Sequence, residues 1–119
     1  MATVGEVLKE LKATNGIQHC LVVGRDGFVI DHVGSMEADM IGAVISTSIG
    51  AVEAMGRDMH TGALFEVMAE YNDGTVIAAP VQREAVLGIV AAKDASLGGI
   101  RFAVKKSLEQ LERALYAQR

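Results

Sequence analysis

Tryptophan is absent from this chain, and cysteine and proline occur once each among its 119 residues. A lone Cys20 cannot close an internal disulfide, and no zinc-ligand spacing surrounds it. The fold is therefore expected to stand without covalent or metal staples and to suit a reducing compartment, the cytoplasm. Charge is also scarce: 22% of residues are charged against 50% hydrophobic. A domain this small has much surface to wet, so some apolar or small-residue surface is expected to be covered by another protein.

Basic charge is neither abundant nor clustered. The net charge is -4 with Lys and Arg scattered, which leaves no basic stripe for a phosphate backbone and argues against nucleic acid. No basic segment followed by an apolar one opens the chain, so no secretory signal is expected. The longest apolar run, Met40 to Val52, falls short of the roughly 20 residues that cross a bilayer. A soluble single domain over 1–119, with no membrane insertion, is the expectation.

The usual phosphate cradles, G-x-x-x-x-G-K-[ST] and G-x-G-x-x-G, are missing, and no cofactor is implied. Gly98-Gly99 precede a helix and are read as easing a turn. His19, His32 and His60 lack H-x-x-x-H spacing, and Cys20 points away from His19, so no metal site is expected. Cys20 lies in an apolar strand, where a thiol behaves as a small hydrophobe with a raised pKa. Ser46, Thr47, Ser48 and Ser107 have no G-x-S-x-G context. Asp26 and Asp73 serve turns, and Glu66 and Glu70 read as solvated acids. No catalytic residue emerges, and the protein is expected not to be an enzyme.

What is present is a clear order of elements. Thr3 and Glu6 form a capping box, and Val4, Val7, Leu8 and Leu11 repeat at helical spacing until Asn15-Gly16. Ile17 to Val23 and Phe28 to Val33 flank Asp26-Gly27 as a β-hairpin. A helix runs from near Glu37 to about Asp58. Phe65, Val67, Ala69 and Tyr71 alternate with Glu66, Met68 and Glu70 in a second hairpin turning at Asn72-Asp73-Gly74, with Pro80 predicted to end or bulge the pairing. Residues 85–93 read as a central strand. A last helix spans Leu97 to Tyr116, with Ile100, Val104, Leu108, Leu111 and Leu115 inward and Lys105, Glu109 and Arg113 paired outside.

The middle helix is unusual. On a wheel of about 100° per residue, Met40, Ile41, Val44, Ile45, Ile49, Val52 and Met55 fall in one half, expected to be core. The other half holds Gly42, Ala43, Ser46, Thr47, Gly50, Glu53, Ala54 and Arg57. A glycine inside a helix costs about 1 kcal/mol relative to alanine, so two glycines facing water would be an unexplained loss. The row Gly42, Ser46 and Gly50 is expected to admit another backbone closely. Glu53 and Arg57 are expected at the rim of that contact.

This order, with "LVVGRDGFVI", the small-backed helix, "EYNDGTVIAAPV", "AVLGIVAA" and "LGGIRFAVKKSLEQL", resembles the roadblock/dynein light chain family over nearly the whole chain. The resemblance implies an α+β fold of profilin-like type in the order α-β-β-α-β-β-β-α. Its five-stranded antiparallel sheet carries the first and last helices on one face and the middle helix on the other. It also implies a homodimer or heterodimer joined through an edge strand at residues 63–71, so that Leu64, Glu66, Met68 and Glu70 become dimer residues. A small Ras-like GTPase is the partner it implies, docked on the paired middle helices. Gly42, Ser46, Thr47, Gly50, Glu53 and Arg57 are then the candidates for dimer or GTPase contact. Arg25 and Arg57 are exposed candidates for stabilising charge in phosphoryl transfer. The competing readings are a structural adaptor in a motor or scaffold complex and, less favoured, a small-ligand sensor or enzyme.

Overall fold

The computed structural model describes residues 2–117. Helix α1 (Val4–Lys12) opens on the capping box: the Thr3 hydroxyl accepts from the Glu6 amide, and the Glu6 carboxylate accepts from the Thr3 amide. Those two bonds satisfy donors that a bare helix end leaves free, and they hold the Glu6 carboxyl below its ordinary range. Gly16, at a φ of 95°, then turns the chain into the sheet.

Strands β1 (Ile17–Gly24), β2 (Val29–Val33), β3 (Val67–Tyr71), β4 (Gly74–Val81) and β5 (Ala85–Ala92) form one antiparallel sheet in the order β2-β1-β5-β4-β3. The wholly apolar β5 lies at the centre, as its unbroken run predicts. Helix α2 (Ala38–Asp58) crosses one face, and α1 with α3 (Leu97–Ala117) covers the other. The expected order, sheet and distribution of helices are all present.

Pro80 departs from expectation. Pairing with β5 continues through Pro80↔Val86 and Val81↔Ala85, without a break. Pairing with β3 stops at Val67↔Ala78. Beyond that point β4 has no neighbour on its β3 side, so a residue without an N–H forfeits no ladder bond there. Strand β3 also begins later than expected. Leu64 and Glu66 precede its regular pairing, because the chain descending from α2 meets β4 only at Val67.

The core is split by the sheet. Between the sheet and α1/α3 lies the larger part, with Leu8, Leu87, Ile89, Ile100 and Leu111 all buried. Cys20 belongs to it: the thiol donates to the Leu8 carbonyl at 3.3 Å, and burial pushes its pKa up to about 11. On the opposite face the buried cluster among the described residues is smaller, formed by Leu21, Val23, Ile45, Ile49, Ala78 and Val86. On α3's outer surface Glu109 pairs with Arg113 at 3.7 Å, while Lys106 reaches Glu10 of α1 at 3.5 Å.

Candidate interaction site

Helix α2 touches the sheet along a narrow stripe of Ala38, Gly42, Ile45 and Ile49. Gly42 is therefore turned inward, contrary to the expectation that it lies on the helix back. A Cβ there would come within 2.9 Å of a Val29 methyl and 3.2 Å of one from Val23. From below, a Cβ on Gly88 of β5 would meet the Ile45 Cδ1 at 2.6 Å. Two glycines, one on each element, let the helix sit low on β1 and β5.

A low, narrow seat has a consequence for the rest of the helix. Met40, Val44 and Met55, expected in the core, stand out at 67%, 61% and 55% exposure, while Ile41 and Val52 are half-buried. Thr47, Ser48 and Ala51 complete this outer face. The Thr47 hydroxyl donates to the Ala43 carbonyl at 2.9 Å and the Ser48 hydroxyl to the Val44 carbonyl at 2.8 Å. Both hydroxyls spend their donors on their own helix, so the face presents almost wholly apolar chemistry. Gly50 is open, with nothing within 4 Å of the position a Cβ would take. Of the Gly42, Ser46 and Gly50 row, only Gly50 fits an outward clearance, since the Ser46 hydroxyl donates to the Arg25 carbonyl at 3.0 Å.

At 21 residues α2 is also longer than the run from Met40 to Val52, and by length and hydropathy alone it could cross a bilayer. Its charges, Asp39, Glu53, Arg57 and Asp58, are kept to its two ends. The span between them is uncharged on the side facing away from the sheet as well as toward it.

Beside α2 the sheet is uncovered. Val67, Ala69 and Tyr71 of β3, Val76 and Ala78 of β4, and the Ile41, Val44 and Val52 side of α2 bound an open apolar groove of about 410 Å³. Tyr71 is 66% exposed at its end. Strand β3 is the outer edge here and pairs with β4 over five consecutive residues without a register shift. At the other edge β2 is irregular: Val22 faces Asp31 and Val23 faces Val29, so Ile30 bulges out. A bulge blunts an edge against further pairing, and a regular edge invites it. Met68 packs toward the α1/α3 core, and Glu70 is exposed near the strand's end. Glu66, before the strand, is paired with Arg101 of α3 at 3.0 Å, and Leu64 packs beneath α2.

The predicted rim residues lie elsewhere. Glu53 accepts from both terminal guanidinium nitrogens of Arg25, Nη2 lying 3.0 Å from Oε2. This hydrogen bonding holds the Glu53 carboxyl below its ordinary range and raises the Arg25 guanidinium above its own. Arg25 is thus a half-buried fastener between the β1–β2 turn and α2, not the exposed arginine of the sequence reading. Arg57 remains exposed.

His19 is fully buried under the lead-in to α2, its Nδ1 accepting from the Met36 amide at 3.4 Å. Its ring stacks on His32 at 5.8 Å between centroids, and its Nε2 has no partner among the described residues. Burial lowers its pKa, with the His32 charge adding to the effect. Among the described residues no group of three or more His, Cys, Asp or Glu could hold a metal ion. A structural role for His19 agrees with the sequence reading, while its contact with Met36 is made only by the tertiary fold.

The family model described as Roadblock/LC7 domain matches residues 3–91. The chain is 32% identical over 111 residues to the uncharacterized protein MJ1340 of Methanocaldococcus jannaschii, covering 92% of this chain and 96% of that one. Among solved structures it is similar to one titled as MglB with a tetrameric arrangement, with a TM-score of 0.86, 21% identity, and coverage of 93% and 86%. It is also similar to a Roadblock/LC7 domain from Streptomyces avermitilis, with a TM-score of 0.88, 15% identity, and coverage of 97% and 99%.

Proposed function

The chain belongs to the Roadblock/LC7 domain family, and from that premise we propose that it is a homodimeric, non-enzymatic interaction module of the cytoplasm that binds and regulates a small Ras-like GTPase. The observation that carries this reading is the apolar outer face of α2, continuous with the open groove above a regular free edge at β3. A second copy fits that surface: β3 against β3 extends the sheet, and the partner's α2 covers the groove and hides Met40 and Val44. Burying an apolar side chain of this size is worth about 1.5–3 kcal/mol, so a few such residues per subunit sustain association. The similar MglB structure has a tetrameric arrangement, which supports self-association of this fold.

Pairing two copies places two α2 helices side by side. Thr47, Gly50 and Ala51 then form a low platform of small side chains, with the Thr47 hydroxyl donor already spent on its own helix, a surface suited to close approach by a protein partner. The GTPase is the partner implied by the sequence resemblance. Regulation through the partner's own catalytic residues is what the sequence resemblance implies.

The test is binding and single-turnover GTP hydrolysis by a Ras-like GTPase from the same cell, with and without this protein. Binding with altered turnover, both lost in Ala51→Arg, is the expected result. Tight binding without any change in turnover leaves a structural adaptor instead. Binding and turnover that Ala51→Arg leaves unchanged would remove α2 from the account.

A further inference from the structure

A second cleft opens at the C-terminal end of α2, away from the apolar groove. Three connections meet there: the β1–β2 turn with Arg25, the α2–β3 loop at Gly62 to Leu64, and the β4–β5 turn at Gln82 and Arg83. With Glu53 and Arg57 from α2 they enclose about 420 Å³, open to solvent. Three guanidinium groups face one carboxylate, an excess of positive charge in a chain whose net charge is -4.

The three arginines differ in what they have left to give. Arg25 spends its fork on Glu53, and its Nε is buried without a partner among the described residues. Arg57 and Arg83 are exposed and form no salt bridge among the described residues. A basic residue in the last turn of α2 is ordinary compensation of the helix dipole and accounts for Arg57 by itself. Arg83 has no such reason. It follows Gln82, which is held at a φ of 53° in the left-handed region, a costly conformation for a residue with a Cβ. The strained turn carries Arg83 to the same cleft as Arg57. Ala63, Leu64 and Pro80 supply an apolar wall beside the charges.

We propose that this cleft is a docking site for an acidic segment of a partner protein, with Arg57 and Arg83 receiving its carboxylates and the Ala63–Pro80 wall receiving its side-chain stems. Guanidinium groups pair with carboxylates through two parallel N–H donors, the strongest form of such a contact. Inorganic phosphate could meet the same guanidinium groups, but it has no side-chain stem to place against Ala63, Leu64 and Pro80, so the apolar wall favours an acidic peptide. The site lies apart from the outer face of α2 and does not require that the partner be a GTPase.

The experiment follows the amide signals of Gly62 and Ala63 by NMR in the isotope-labelled full chain. The probes are a blocked Asp-Glu-Asp tripeptide, its uncharged Asn-Gln-Asn counterpart and inorganic phosphate, at physiological salt. Saturable shifts with the acidic peptide alone are expected, with affinity reduced about tenfold or more in the Arg57→Gln/Arg83→Gln double variant. Both positions are exposed, and an unchanged thermal unfolding curve checks that the variant is folded. Absence of saturation, equal shifts in the double variant, or an equal response to the uncharged peptide would overturn the proposal. Phosphate binding as tightly as the acidic peptide would overturn the choice of a carboxylate ligand.

Discussion

The two faces of the sheet are finished to different degrees. Against one face, α1 and α3 together bury Val7, Leu8, Leu11, Ile100, Val104 and Leu111 and leave a continuous core. Against the other, a single helix is seated low over β1 and β5 by Gly42 and Gly88, and the surface of β3 and β4 beside it stays open. One helix is too narrow to cover five strands. The closed face holds the fold together, and the open one is the surface we propose a second copy covers.

The largest expected effect separates the faces directly. Leu111→Ala, on the closed side, should cost about 2–5 kcal/mol in urea unfolding, the usual penalty for a buried leucine cavity. Val44→Ala, on the open side, should change the stability of an isolated subunit by no more than about 0.5 kcal/mol. Equal losses at both sites would mean that the two faces are not different in kind.

Acid should act on the open face before the closed one. Burial keeps His19 neutral in the fold, with its folded pKa below the unfolded value of about 6.5. Above that value neither state binds the proton and stability is complete. As pH falls from about 6.5 toward the folded pKa, only the unfolded chain takes up the proton, and stability drops by up to about 1.4 kcal/mol per pH unit. Unfolding curves collected between neutral and mildly acid pH should show this slope in the wild type and lose it in His19→Gln.

A pair of identical substitutions sharpens the comparison further. Gly50→Ala, with open space above it, should stabilise an isolated subunit by about 1 kcal/mol through helix propensity. Gly42→Ala must push against Val29 and Val23, so the sign should reverse to a loss of about 1 kcal/mol. Thermal unfolding in a monomeric background reads both.

The smallest expected effect concerns the fastener at the end of α2. Glu53→Gln should cost about 0.2–1 kcal/mol at neutral pH, as befits a partly exposed pair. Because the Glu53 carboxyl is held below its ordinary range by Arg25, this contribution is present above the unfolded pKa of about 4.3. It is lost as pH falls through the lower folded value, and wild-type and variant curves should converge there.

Most of the architecture was legible because periodicity and turn chemistry agreed. The capping box at Thr3, the Asp26-Gly27 and Asn72-Asp73 turns, and the unbroken run of β5 each specify one local outcome. The orientation of α2 was not legible. A wheel centred on the largest residues of α2 turns Met40, Val44 and Met55 to the core together with Ile45 and Ile49, because size alone does not show which part of that half meets the sheet. The true contact is made through its smallest residue, Gly42, and depends on Gly88 forty-six positions later in the chain. Sequence spacing alone does not carry such a pairing. Arg25–Glu53 and His19–Met36 were hidden for the same reason: each joins elements that only the tertiary fold brings together. Small residues along α2 were a true signal of close approach, but the approach at Gly42 is to the protein's own sheet.

The central claim is that α2's outer face and the groove above β3 are covered by a second copy of the chain. Sedimentation velocity of the wild type beside Val44→Glu, at one protein concentration, tests it most directly. The wild type should sediment with the mass of two chains and Val44→Glu with the mass of one, both fully folded by circular dichroism. A wild type that sediments as a single chain, or a variant that sediments as the wild type does, would contradict it.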